Sequence, residues 1–112
     1  MKKFVVLWII PLLLLLSMLL AFGCQVQYIE WEKHFKNGSA LVLDGKYEEA
    51  ILELDKTIEI KAEFADAYYT RGLAYEKIGE VDKAVNDYEK CIKLSKDSEL
   101  LATAKMRLDK LK

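Results

Sequence analysis

Residues 31–64 lie over residues 65–98 without a gap, so a unit of 34 residues occurs twice in succession. The superposition pairs Gly38 with Gly72, Ala40 with Ala74, Gly45 with Gly79, Ala50 with Ala84 and Lys56 with Lys90. The apolar pattern repeats as well. Tyr47, Ala50, Ile51, Leu54, Thr57 and Ile58 correspond to Val81, Ala84, Val85, Tyr88, Cys91 and Ile92, at the offsets of three, four and seven that mark one face of a helix. Each unit therefore reads as two helices, broken at Asp44-Gly45-Lys46 and at Ile78-Gly79-Glu80, where glycine permits a tight turn. The pattern predicts helices near 28–43, 47–60, 64–77, 81–94 and 98–111, an all-α chain built as a stack of helical hairpins.

The period and the order of residue types resemble the tetratricopeptide repeat family, whose signature runs aromatic, Leu-Gly, aromatic, Ala, large apolar residue and Pro. The second unit carries this as Tyr68, Gly72, Tyr75, Ala84 and Tyr88, and the first, more loosely, as His34, Gly38, Leu41, Ala50 and Leu54. The closing Pro is replaced by Ala62 and Lys96, which implies a looser turn between units. On this resemblance Gly38 and Gly72 would omit a side chain where two helices touch, with Leu41 or Tyr75 filling the space beside them. The resemblance implies two repeats, 31–64 and 65–98, in an α-solenoid, with 99–112 as a capping helix. Asp97 or Ser98 can cap that helix. Leu100, Leu101, Ala104, Leu108 and Leu111 form its apolar face, and Lys105, Arg107, Asp109, Lys110 and Lys112 its wet one. Two repeats and a cap fall below the ~3 repeats usual for independent stability, which leaves room for a dimer or a supporting partner.

The N-terminal part is a different kind of sequence. Lys2 and Lys3 precede an uncharged run from Phe4 to Gly23, and Ala21-Phe22-Gly23-Cys24 closes it. This order resembles a bacterial lipoprotein signal, in which Cys24 would become the lipidated first residue of the mature chain. Phe22 is bulkier than the small residue usual there, and Leu20 lies one place further from the cut. Residues 1–23 are then a signal peptide or membrane anchor, and 24–30 a short linker or the start of the first helix. The run is also 20 residues long, close to the ~20 that cross a hydrocarbon core, so a retained single-pass helix is the alternative. Tyr28 and Trp31 would then sit at the membrane interface. A buried soluble helix is the third reading. Both membrane readings place residues 25–112 outside the cytoplasm, and the lipoprotein resemblance implies a bacterial cell envelope.

Removal of residues 1–23 leaves 89, enough for one small domain. Lys2 and Lys3 are two of the 17 Lys and Arg, and all 18 acids follow the leader, so the remainder carries a net charge of −3. That balance argues against nucleic acid as a partner. With Cys24 lipidated, Cys91 has no cysteine to pair with and reads as a small buried residue. His34, the single histidine, falls at a packed aromatic position, and the many Asp and Glu alternate with Lys as solvated helix faces would. Neither a nucleophile with its base nor a set of metal ligands converges, so neither an enzyme, a cofactor nor a metal site is expected.

Function is thus expected in a surface. In tetratricopeptide proteins the first helix of each unit lines a concave groove that binds a protein or peptide partner. By resemblance Glu32, Phe35, Ser39 and Val42 align there with Asp66, Tyr69, Leu73 and Glu76. Phe35, Ser39, Thr70, Leu100 and Ala104 stand where some relatives carry the Lys, Arg and Asn that clamp a C-terminal carboxylate, so that clamp is not expected. The expected role is a membrane-attached adaptor, with self-association into a homo-oligomer as a structural alternative.

Overall fold

The computed structural model describes residues 2–112, except the side chains of Gln27 and Tyr28. The interfacial placing expected of Tyr28 therefore falls outside the described residues. Five helices follow in order: α1 (Lys2–Leu43), α2 (Tyr47–Ile60), α3 (Ala65–Lys77), α4 (Val81–Leu94) and α5 (Ser98–Leu111). Successive helices pack as antiparallel hairpins, α1 on α2 and α3 on α4, with α2 against α3 and α4 against α5. The described residues thus form a short all-helical solenoid.

The two sharp turns inside the hairpins are built alike. At the first, the Lys46 amide donates to the Leu41 carbonyl at 2.9 Å and the Gly45 amide to Val42 at 3.1 Å. At the second, Glu80 donates to Tyr75 at 2.9 Å and Gly79 to Glu76 at 3.2 Å. This pair of bonds uses up the last free carbonyls of a helix and requires a left-handed residue after it. Gly45 and Gly79 supply it, with φ of 77° and 83°. The turn between repeats is firmer than the missing Pro implies, because the Tyr68 hydroxyl donates to the Ala62 carbonyl at 2.7 Å. Of the two candidate caps of α5, Asp97 is the one used: its Oδ1 accepts from the Glu99 and Leu100 amides at 2.8 and 3.0 Å.

Glycine sets the spacing within each hairpin. A Cβ added at Gly38 would lie 2.8 Å from Leu54 Cγ, and one at Gly72 2.8 Å from Tyr88 Cε1. Leu54 and Tyr88, both fully buried, therefore fill the space opposite the glycines, rather than Leu41 and Tyr75. Ala50, Ala67, Ala74, Ala84 and Cys91 complete the core with no exposed surface. Burial pushes the Cys91 thiol up to about 11, so it stays protonated and acts as a small apolar filler.

The first helix departs most from expectation in extent. It runs unbroken through residues 24–30, which form helix rather than a linker, and it contains Pro11. At 1.5 Å per residue its 42 residues reach about 63 Å, which accounts for most of the 73 Å long axis. Phe4 to Phe22 stand clear of the solenoid, their apolar side chains exposed.

The glycine contact has a consequence that differs from helix propensity, by which Gly72→Ala would stabilise by about 1 kcal/mol. The methyl group cannot enter without moving a fully buried ring, an overpacking cost of about 1–3 kcal/mol. Gly72→Ala should therefore cancel the gain that propensity alone gives and lower the melting temperature by up to about 8–16 °C for a domain of this size. A melting temperature raised by several degrees, as propensity alone predicts, would reject the close approach.

Candidate partner-binding surface

The stripe expected to line a groove divides into two halves with different fates. In the first hairpin Glu32 is exposed, while Phe35, Ser39 and Val42 are half-buried. Phe35 packs edge-on against Phe64, with ring centroids 4.8 Å apart, and Trp31 meets the same ring at 4.8 Å. Lys61 Nζ lies 4.0 Å over the Trp31 ring, a cation–π contact that roofs the cluster. In the second hairpin Asp66 is exposed and Leu73 half-buried. Tyr69 packs against the core beside Leu100, at 5.8 Å from the Tyr88 ring, and opens on a cavity of about 240 Å³ shared with Asp97, Glu99, Leu100 and Thr103.

Glu76 is committed internally. Its Oε2 accepts from the Tyr88 hydroxyl at 2.6 Å, and its Oε1 from Arg107 Nη1 at 3.2 Å. Burial, then Glu76, pushes the Tyr88 phenol above its ordinary range. Arg107, expected on the wet face of α5, is instead partly covered by this bond. The capping helix thus engages Glu76, while Tyr69 keeps one side on that cavity; Glu32 and Asp66 are the exposed members of the stripe, and Phe35, Ser39, Val42, Tyr69 and Leu73 are half-buried.

A second arrangement was hidden in the acidic pattern. Asp87, read from sequence as part of a solvated face, is 5% exposed. Arg71 grips it with a two-pronged bond, Nε to Oδ2 at 2.9 Å and Nη2 to Oδ1 at 2.7 Å, and reaches Asp55 Oδ1 with Nη1 at 2.8 Å. Asp55 belongs to the first hairpin and Asp87 to the second, so one guanidinium joins the two units. Burial raises the Asp87 carboxyl above its ordinary value although Arg71 favours the ionised form. Burial also opposes the Arg71 charge, yet its bonds to Asp87 and Asp55 lift its pKa. A fork matched to a carboxylate is the one ion pair that tolerates such burial well.

The same position in the first hairpin is built differently. There Glu53 Oε2 meets His34 Nδ1 at 2.8 Å and Oε1 accepts from Lys56 at 2.9 Å. Both partners, His34 foremost, hold the Glu53 carboxyl down at about 2. His34 is half-buried, as its packed position implied. Beside this cluster lies a groove of about 500 Å³ between α1 and α2, lined by Asn37, Ala40, Leu41, Asp44, Glu49, Leu52, Glu53 and Lys56. Among the described residues no three acidic, His or Cys side chains are grouped to hold a metal.

With two hairpins alike in sequence register, turn and glycine contact, comparison with known proteins is decisive for the repeat. Residues 38–79 match the family model described as TPR repeat, and residues 65–98 the one described as tetratricopeptide repeat. The chain carries tetratricopeptide repeats. The peptidyl-prolyl cis-trans isomerase PASTICCINO1 of Arabidopsis thaliana is 36% identical over 70 residues, covering 62% of this chain but 11% of that protein. Among solved structures, the crystal structure of MamA is similar at 31% identity and a TM-score of 0.60, over 73% of this chain and 52% of that one. The chain thus spans about a tenth of the curated relative and half of the solved one. The tetratricopeptide scaffold points to a non-catalytic role in protein interaction.

Two outcomes follow from the ion pairs. Arg71→Met strands a buried carboxylate and should cost about 3–5 kcal/mol, whereas Asp55→Ala, at a more open carboxylate, should cost about 1 kcal/mol or less. Arg71→Met combined with Asp87→Leu should recover most of the loss, since an apolar pair can replace a buried ion pair. Thermal melts of the three variants check this, and a double variant as weak as Arg71→Met would refute it. Glu53 adds a pH dependence. Its folded value of about 2 lies below the ordinary 4.5, so its contribution is complete above pH 4.5 and is lost as pH falls toward 2. Melting temperature should fall more steeply across that window in the parent than in Glu53→Gln, and parallel curves would show that the carboxylate carries no such linkage.

Proposed function

We propose that the protein is a membrane-attached adaptor whose tetratricopeptide repeats, held outside the cytoplasm, bind a protein or peptide partner in a bacterial cell envelope. The observation that carries this is α1. It is long and apolar enough to cross a membrane, and its apolar window is wholly uncovered by the rest of the chain. A buried soluble helix would place that window in a core. Twenty uncharged, mostly apolar residues in a row, Phe4–Gly23, all exposed, have a physical home in lipid, where each backbone group is satisfied within the helix.

Lys2 and Lys3 keep the N-terminus on the cytoplasmic side. Cys24, exposed and unpaired with another cysteine, is the proposed lipid-attachment residue. Retention of the whole helix as a single-pass anchor is the second reading, favoured by the unbroken course of α1 from Lys2 into the first repeat. The partner surface in either case is the accessible part of the concave stripe around Phe35, Ser39, Val42, Tyr69 and Leu73.

Intact mass of the membrane-purified protein separates the readings. A chain that begins at Cys24 and carries acyl groups is expected for the lipoprotein, with Cys24→Ser leaving the leader attached. An unmodified full-length chain in the membrane establishes the retained anchor instead. An unmodified chain recovered wholly from the soluble fraction would overturn membrane attachment.

A further inference from the structure

The first hairpin leaves open an edge that is covered in the second, and the cover shows what kind of helix belongs there. Shifted by 34 residues, Asn37, Ala40, Leu41 and Asp44 of the α1/α2 groove become Arg71, Ala74, Tyr75 and Ile78. That second edge is closed by α2, which runs antiparallel to α3 and accepts on Asp55 Oδ1 a bond from Arg71 Nη1 at 2.8 Å. Ala74 is fully buried there. Its equivalent Ala40 is exposed, Leu52 in the same groove is 63% exposed, and the space between α1 and α2 is about 500 Å³. An edge of this kind receives a helix that runs against its first helix.

Charge tells the two edges apart. The covered edge is basic, with Arg71, Lys83 and Lys90 against Asp87, and the helix that covers it is acidic, with Glu48, Glu49, Glu53, Asp55 and Glu59 against Lys56. At the open edge the sign is reversed. The same four positions are Asn37, Glu49, Lys56 and Glu53, and Asp44 stands in place of Ile78. Lys56 is already bonded to Glu53 at 2.9 Å. Asp44 and Glu49, both exposed, are left to face whatever fills the groove. Opposite charges across an interface select the partner, so the cover here is basic where α2 is acidic.

We infer that the α1/α2 groove is the docking site for a basic amphipathic helix of another protein, lying antiparallel to α1 as α2 lies on α3. Its apolar residues rest on Ala40, Leu41 and Leu52, and its cations face Asp44 and Glu49. Laying an apolar helix face into a groove is a recurrent mode of recognition. A second copy anchored in the same membrane does not supply this helix. In the required direction it offers α2, which is acidic, and α4, in which Lys83, Lys90 and Lys93 are balanced by Asp82, Asp87 and Glu89. That exclusion rests on the membrane attachment proposed above, whereas the site does not. The groove shares no residue with the concave stripe and is a second surface.

Photo-crosslinking of the full chain in its native cells tests the proposal. A benzophenone side chain replaces Asn37 or Asp44, and the crosslinked peptides are identified by mass spectrometry. Residues 37 and 44 stand about two helical turns apart, so the two products are expected in one partner segment at sites about seven residues apart. Lysine and arginine outnumber acids in that segment, and the site joined from position 44 lies N-terminal to the site joined from position 37. Glu49→Lys and Asp44→Lys, the latter placing a cation where the end of α1 favours one, should each lower the product from position 37 about tenfold or more, while thermal melts match the parent. Sites in the same order as in α1, a segment in which acids prevail, a crosslink to a second copy of this chain, or no product at either position would overturn the proposal. A yield that neither substitution lowers would overturn it too.

Discussion

The contact between a glycine on one helix and a large side chain on the next governs this structure. Gly72 meets the Tyr88 ring and Gly38 the Leu54 side chain at distances a Cβ would violate. Those distances bring the two helices of a hairpin together closely enough for alanines to fill the rest of the interface. A solenoid of two repeats has little core to draw on, because each unit buries surface only against its neighbours. Density at these few positions therefore matters more than total apolar area. Tyr88 shows how much is asked of one residue. It fills the hollow at Gly72, touches Tyr69 and donates to Glu76, and through Glu76 and Arg107 it reaches the capping helix.

Between hairpins the linkage is polar. Arg71 spans from Asp87 to Asp55, so the two repeats share a charge that neither could bury alone. Such a network adds little net energy compared with apolar residues of the same shape, but its loss in part is costly, and its fork geometry fixes the register of one unit on the next. The first repeat, with Asn37 in place of Arg71 and Glu53 in place of Asp87, ties its acid to His34 and Lys56 on its own hairpin instead. The two edges thus differ where the repeat sequence differs.

The solenoid was legible because its causes are local and periodic. The 34-residue register, the apolar offsets and the paired glycines each point to the same hairpins, and four of the five helices end within a residue of their expected limits. The buried network was not legible. Asp87 sits in Asp87-Tyr88-Glu89-Lys90, a string that looks like an ordinary charged face, and only the approach of α3 to α4 shows that its carboxylate points inward. A usable signal existed, since Arg71 is one of only two arginines in the chain, and arginine is the cation suited to a buried carboxylate. Glu76 was misplaced for a related reason: the alignment that put it on the groove stripe carried no information about where the capping helix would lie. The candidate groove was therefore legible as a stripe, but which of its members are drawn into internal bonds, as Glu76 is, depends on tertiary packing.

The two ends of the array have different physical status. At the far end α5 is capped by Asp97 and bonded through Arg107 to Glu76, so the second repeat is finished on its outer side. At the near end the corresponding edge of the first repeat exposes Leu52 beside an acidic rim, and the helix that borders it continues as α1 into the apolar segment. A stacked repeat gains stability from whichever neighbour covers its open face, and the described residues supply that neighbour at one end. The exposed apolar segment and the open edge of the first repeat therefore lie on one helix, α1, whose two parts both present apolar surface that the described residues leave uncovered.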